Sequence, residues 1–347
     1  MGSLVEVDAS SHLVPVVDIA PFLTDPQSPE AGAVVDAVRQ ACTTSGFFAI
    51  TGHGLAQQLQ RDLLAAARAF FSLDLDEKKK LDATRMVGRR GYDVLASQSY
   101  HADVRPDLKE GFYVGHDLPA HDPHVRAGRF FMGPNVWPDE GVLAPQRFRG
   151  PVEAYFDAVH LLSLKVLQLV ACTLPYGAGV FDEFTAGNHT VAVLRLLHYP
   201  PAPASASPSS SPEDQQRQRP QQLGAGAHTD FGAITLLLQD EHAGLEVLDP
   251  KTSRFVPVDP IPDAFVFNVG DMLSVWTDGL YKSSVHRVIN KAPTDRYSAA
   301  FFYDGALDCP LTPLHQAGKV QEAENVLTVE KHLLRRILES YGNTGTK

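Results

Sequence analysis

Cysteine is scarce, with three in 347 residues. Cys42, Cys172 and Cys309 are scattered, odd in number and without Cys-x-x-Cys spacing, which argues against a disulfide framework and a zinc ribbon. Positive charge is also short: 30 Lys and Arg stand against 41 Asp and Glu, a net charge of −11. A general nucleic-acid partner would call for a basic stripe to neutralise phosphates, so none is expected, and the acidic excess serves solubility. No run approaches the roughly 18 uninterrupted apolar residues of a membrane span, so no membrane partner is expected either. The N-terminal MGSLVEVDASSH has no basic stretch leading into an apolar one, and Glu6 stands where myristoylation of Gly2 needs Ser or Thr. A cytoplasmic protein is the expectation.

What is present is a chain 44% hydrophobic, long enough to bury a sizeable core as one compact unit. Helical spacing of apolar residues predicts helices over Glu30–Ser45, Leu55–Ser72 and Val152–Leu174, and a C-terminal helix over about Glu322–Tyr341 packed outside the core. Asp76–Lys80 reads as a solvated helix end. Residues 201–220 (PAPASASPSSSPEDQQRQRP) hold no apolar residue larger than Ala and read as a flexible insertion. After it, short strand-like runs alternate with turn signals at Asp249-Pro250, Pro260–Asp263, Gly270-Asp271 and Asp278-Gly279, the pattern of a double-sheet jelly roll.

Against this background one constellation stands out. With 14 His in the chain, His-x-Asp should occur about once by chance, and it occurs twice. His101-Ala102-Asp103 sits in a polar, loop-like stretch and is set aside. His228-Thr229-Asp230 opens the strand-like FGAITLLL, where residues i and i+2 share a face and can converge on one ion. His286 lies in the alternating KSSVHRVI and supplies a third ligand. Two His and one carboxylate are the donor set of non-haem Fe(II) oxygenases, which leaves positions open for O2 and an oxidisable ligand. Ten residues on, Arg296 and Ser298 form another i, i+2 pair on a strand-like run, suited to grip the far carboxylate of a dicarboxylic acid.

The order HTD, GLEVLD, FVFNVGDMLSVWTDGLYKSSVHRVIN and RYS, preceded by VPVVDIAPFL and GFFAITGHGL, resembles the 2-oxoglutarate and Fe(II)-dependent dioxygenases of the isopenicillin N synthase-like family. LRLLHYP, HTDFG and DLKEGFYVG look closest to fungal-type members, including a thymine hydroxylase that oxidises a methyl group. The resemblance implies an α+β fold with a double-stranded β-helix (jelly-roll) core braced by N-terminal, central and C-terminal helices. It implies an N-terminal dioxygenase region over 14–135 packed on a catalytic core over 189–305. It also implies Fe(II), 2-oxoglutarate and O2 as cofactor and co-substrates, with His228, Asp230 and His286 on the metal and Arg296, Ser298 and Tyr199 on 2-oxoglutarate. Many plant members carry Asn two residues before that Tyr; Leu197 stands here, one polar contact fewer. The implied reaction is oxidation, chiefly hydroxylation, of a C–H bond of a small molecule, with 2-oxoglutarate converted to succinate and CO2.

For the substrate pocket the candidates are Tyr100, Lys109, Phe112, Arg195, Phe231 and Phe302, aromatic faces and cations suited to a planar or carbonyl-bearing molecule. Each aromatic fits a plain core role at least as well, and Lys109 with Glu110 reads first as a surface pair. Two other functions remain open: an iron oxidase of the same fold that uses no 2-oxoglutarate, and a non-oxidative zinc jelly-roll protein.

Overall fold

The computed structural model describes residues 13–95, 107–187, 189–201, 223–290, 292–316 and 326–341. Twelve strands are assigned in it: β1 (Val16–Asp18), β2 (Phe47–Thr51), β3 (Gly91–Asp93), β4 (Glu110–Gly115), β5 (Thr190–Tyr199), β6 (Ala225–His228), β7 (Ile234–Gln239), β8 (Leu245–Asp249), β9 (Arg254–Val258), β10 (Phe265–Val269), β11 (His286–Val288) and β12 (Arg296–Ala306). The long helices are α1 (Pro29–Thr44), α2 (Gln57–Phe71), α3 (Arg149–Cys172) and α4 (Val329–Tyr341).

The strands form two sheets, a major one in the order β1-β2-β10-β7-β12-β5-β4-β3 and a minor one in the order β6-β11-β8-β9. A cavity lies between them, lined from both, as expected of a jelly roll. The N-terminal segment contributes to the same architecture: β2 pairs with β10 and β4 with β5, so its strands continue the major sheet.

The helices form where their sequences dictate. Ser28 caps α1, its side chain accepting from the Ala31 N–H at 3.1 Å, with Pro29 in the first turn. Gly46 then ends the helix in the left-handed conformation (φ 72°). The apolar stripes of α1, α2 and α3 bury Val34, Val38, Leu63, Phe70, Val159 and Val166 against the outer face of the major sheet. Phe70 sits at the centre of this packing, 4.5 Å from Phe112 and 4.8 Å from Phe148 between ring centroids. Cys42, Cys172 and Cys309 are all free thiols.

Three expectations need correction. The C-terminal helix begins at Val329 rather than near Glu322, because Leu327 and Thr328 pair with Leu311 and Pro310 as extended chain. It does not simply lie outside the core: Leu333 and Ile337 on one face of α4 line the cavity. The run Asp76–Lys80 is not wholly solvated, since Lys78 turns inward and pairs with Glu110 at 2.9 Å. The segment read as a flexible insertion (201–220) and the set-aside His101-Ala102-Asp103 lie outside the described residues, apart from Pro201.

Candidate active site

The three spaced residues converge. β6 and β11 are antiparallel neighbours with His228 directly opposite His286, and the two imidazole centroids are 4.3 Å apart. Asp230 follows β6 by two residues, and its Oδ1 is 3.6 Å from the Nε2 of each histidine. The outward-facing polar atoms are already occupied. His228 Nδ1 donates to the Gly226 carbonyl at 2.7 Å and His286 Nδ1 to the Ser284 carbonyl at 3.2 Å, which leaves both Nε2 lone pairs facing the shared point. Asp230 Oδ2 accepts from Thr235 Oγ1 at 2.6 Å and Asn268 Nδ2 at 2.7 Å, leaving Oδ1 for that point.

The electrostatics agree with a metal-binding role. Burial, reinforced by the neighbouring imidazole of His286, holds His228 down to about 3, so its ring is neutral at ordinary pH and its lone pair available. Burial alone would raise Asp230, but the facing imidazoles and the two side-chain hydrogen bonds outweigh it and keep the carboxylate below its ordinary range. Two nitrogens and one carboxylate oxygen, each with its second polar atom anchored, fit a divalent transition ion with coordination positions to spare. A second cluster, Asp240, Glu241 and His242, is differently committed. Asp240 accepts from the Tyr297 and His242 N–H groups at 2.7 and 2.9 Å, and His242 Nε2 bonds Thr294 at 3.0 Å.

The local backbone allows no bulk near Asp230. A Cβ on Gly270 would strike the Gly232 carbonyl, and one on Gly232 would strike the Asp304 carboxyl. The Asp271 N–H donates to the Asp230 carbonyl at 2.8 Å, tying the loop to the strand pair.

Arg296 and Ser298 point to the same face of β12 as the cavity-lining Ala300 and Phe302, at the end toward Tyr199. Arg296 pairs with Tyr199 across the β12–β5 ladder, its guanidinium 5.0 Å from the ring centroid. It is 0% exposed, donates from Nε to the His242 carbonyl (3.1 Å) and from one terminal nitrogen to Gln239 (2.8 Å), and leaves the other terminal nitrogen buried without a hydrogen-bond partner. Among the described residues no carboxylate pairs with it. A buried cation with an open donor, beside Ser298 and Tyr199, fits an incoming carboxylate.

The cavity, with about 1040 Å³ of empty space including its open mouth, is lined by His228, Asp230, His286 and Tyr199 together with an aromatic wall, while Arg296 and Ser298, buried next to Tyr199, are not among its lining residues. Arg195, Lys109, Phe231 and Phe302 line it as expected. Arg195 is ion-paired with Asp93 and lies over Tyr113 at 4.8 Å, and Lys109 pairs with Asp107 at 2.5 Å. Lys109 is therefore no surface partner of Glu110, which points to the opposite face of β4 and binds Lys78, Tyr92 and His198.

Phe112 does not line the cavity. It is 0% exposed in the helix-facing core beside Phe70 and Phe148, because side chains alternate along a strand and its neighbour Tyr113 takes the cavity face. Tyr100 lies outside the described residues.

The sequence reading missed Tyr113, Phe130, Phe131, Asp304, Leu333 and Ile337 among the lining residues. Phe131 is held in a left-handed conformation (φ 51°) with its carbonyl accepting from Arg90 at 2.6 Å. Burial pushes the Asp304 carboxyl up to about 7, with the charge of Asp230 adding to the effect.

Comparison with known proteins gives the same direction. Residues 14–140 match the model for the N-terminal region of non-haem dioxygenases in morphine synthesis, and residues 190–305 match that of the 2OG-Fe(II) oxygenase superfamily. The chain is similar to the 2-oxoglutarate-dependent dioxygenase citB of Monascus ruber, 53% identical across 96% of this chain and 97% of that one. It is also similar to clavatol oxidase of Penicillium crustosum, 46% identical across 95% and 97%. Among solved structures, the Neurospora crassa thymine hydroxylase bound to alpha-KG and thymine superposes with a TM-score of 0.76 at 25% identity, over 95% of this chain and 98% of that one.

Proposed function

Because the chain belongs to the superfamily of 2-oxoglutarate and Fe(II)-dependent oxygenases, we propose that His228, Asp230 and His286 hold its iron. Arg296, Ser298 and Tyr199 hold the far carboxylate of 2-oxoglutarate. The enzyme uses Fe(II), 2-oxoglutarate and O2 to oxidise a small molecule, and 2-oxoglutarate leaves as succinate and CO2. The 2-oxoglutarate dependence of its relatives sets aside the co-substrate-free oxidase and the zinc protein.

The observation that carries the residue assignment is the shared aim of two Nε2 atoms and one carboxylate oxygen, with every alternative donor of those side chains occupied. Bound iron supplies the activation of O2. The chain's own residues do the rest: Thr235 and Asn268 fix which oxygen of Asp230 faces the metal, and Arg296 orients the co-substrate by its distal end. Phe231, Phe302 and Tyr113 exclude water and hold a flat substrate against the opening.

The substrate is a planar ring, and the bond oxidised is a C–H of a methyl group on it. Supporting this, one relative is named for clavatol, and the Neurospora enzyme binds both thymine and 5-formyluracil, which differ only in the oxidation level of one methyl carbon. Hydroxylation is the product-forming step. Segments 14–135 and 189–305 work as one unit, the first supplying Tyr113, Phe130 and Phe131 to the wall. A cytoplasmic site of action fits the three free thiols.

The test is to reconstitute the protein with Fe(II), add 2-oxoglutarate and O2, and assay succinate while screening methyl-bearing aromatic compounds for stimulation and for a product heavier by one oxygen. Stimulation by a planar ring with such a product supports the reading. A product that has lost two hydrogens without gaining oxygen contradicts hydroxylation.

A further inference from the structure

Among the charged side chains that line the cavity, Asp304 differs from the rest. Arg195 is answered by Asp93, Lys109 by Asp107, and Asp230 by Thr235 and Asn268. Asp304 is only 6% exposed, faces the cavity, and makes no ion pair or hydrogen bond through its carboxyl with any described residue. Its oxygens open onto the cavity, where a donor on a bound molecule can reach them and supply the hydrogen bond that the protein does not.

Its placement is built in two ways. The register of β12 against β5 shifts between Tyr303 and Gly305, leaving Asp304 unpaired in the ladder as the extra residue of a bulge, a device that re-aims a side chain. Gly305 there takes a left-handed φ of 64°. Across from it, Gly232, two residues after Asp230, lacks the Cβ that would collide with the carboxyl, so the pocket wall leaves room for Asp304.

We propose that Asp304 is the specificity-determining residue for the substrate, its carboxyl bonding an O–H or N–H donor on a planar ring and so fixing which ring carbon faces the metal. This rests on the assignment of the cavity as the oxygenase site. The aromatic faces of Phe231 and Phe302 hold any flat ring, whereas Asp304 distinguishes rings by a single donor.

The test uses two matched pairs of probes, thymine with 1,3-dimethylthymine and orcinol with its dimethyl ether, titrated calorimetrically into the anaerobic Fe(II)–2-oxoglutarate enzyme. The wild type should bind at least one donor-bearing probe about tenfold or more tighter than its methylated partner. Asp304→Leu should lose that preference while binding 2-oxoglutarate like the wild type, and Asp304→Asn should keep part of it. Absence of preference in the wild type, or its persistence in Asp304→Leu, overturns the proposal. Failure of the wild type to bind 2-oxoglutarate at all would overturn the underlying site assignment, and the proposal with it.

Discussion

The two faces of the major sheet are made from alternate residues of the same strands, yet they differ in chemistry. Toward the helices, Phe112, Leu194, Leu196, Leu236 and Phe301 build a core closed by Phe70, Phe148 and Phe156. Toward the minor sheet, Tyr113, Arg195, Thr235, Ala300, Phe302 and Asp304 line a cavity that ends at the His228–Asp230–His286 cluster. One position along a strand separates a packing residue from a site residue. The lesson is that a strand buried on both sides hides its function in parity, and that each face should fail in its own way when altered.

The largest expected effect is on the cavity side. His228→Ala or His286→Ala should abolish 2-oxoglutarate turnover and iron retention while the circular dichroism spectrum and thermal midpoint stay close to wild type. Retained turnover would remove these residues from the metal. On the helix side, Phe112→Ala should cost about 3–5 kcal/mol of stability by leaving a cavity, read as a lower urea midpoint. The folded fraction should bind 2-oxoglutarate with unchanged affinity, and a selective loss of that affinity would break the two-face picture.

Next in size, Arg296→Ala removes the buried cation assigned to the far carboxylate of bound 2-oxoglutarate, a loss of typically ~2–5 kcal/mol for such a pair, so the KM for 2-oxoglutarate should rise roughly thirtyfold or more with a smaller change in kcat. Arg296→Lys should recover only part, because an ammonium lacks the two-pronged fork. Asn268→Ala takes one hydrogen bond from Asp230 and should weaken Fe(II) binding by roughly 10–100-fold, measured by competition with a chelator. Two neighbours on β12 sharpen the comparison most. Phe301→Ala should lower stability and spare the substrate KM, whereas Phe302→Ala should raise the substrate KM with little change in stability. Equal behaviour of the two neighbours would mean that the faces are not functionally distinct.

Much of the site was legible because it is local. Arg296 and Ser298 are an i, i+2 pair that β12 turns directly into a shared face, and His228 and Asp230 have the same spacing, although the strand expected to carry both ends at His228 and Asp230 stands in the loop after it. The helices were legible within a few residues from their apolar periodicity and caps, α4 being the exception at its start. What was hidden is what non-local packing decides. All six residues of β4 are buried, so no polar alternation marked Tyr113 rather than Phe112 as the cavity residue. Leu333 and Ile337 reach the cavity from a helix about a hundred residues downstream of Asp230, held there by Arg336, which bonds Thr229 at 3.0 Å and lies over the Phe231 ring at 4.5 Å. Asp304 depends on a bulge, which strand periodicity alone does not reveal. Lys78 looked solvated because its neighbours are charged, and only the fold brings Glu110 to meet it.

The central claim is that the two histidines, Asp230 and Arg296 form one site for iron and 2-oxoglutarate. The most direct measurement is an anaerobic titration of 2-oxoglutarate into the Fe(II)-loaded protein, followed by the weak visible band of the iron–keto-acid chelate, for wild type, His286→Ala and Arg296→Ala. The account predicts a saturable band in the wild type, none in His286→Ala, and the same band at much higher 2-oxoglutarate in Arg296→Ala. A band of wild-type strength and affinity in either variant would contradict it.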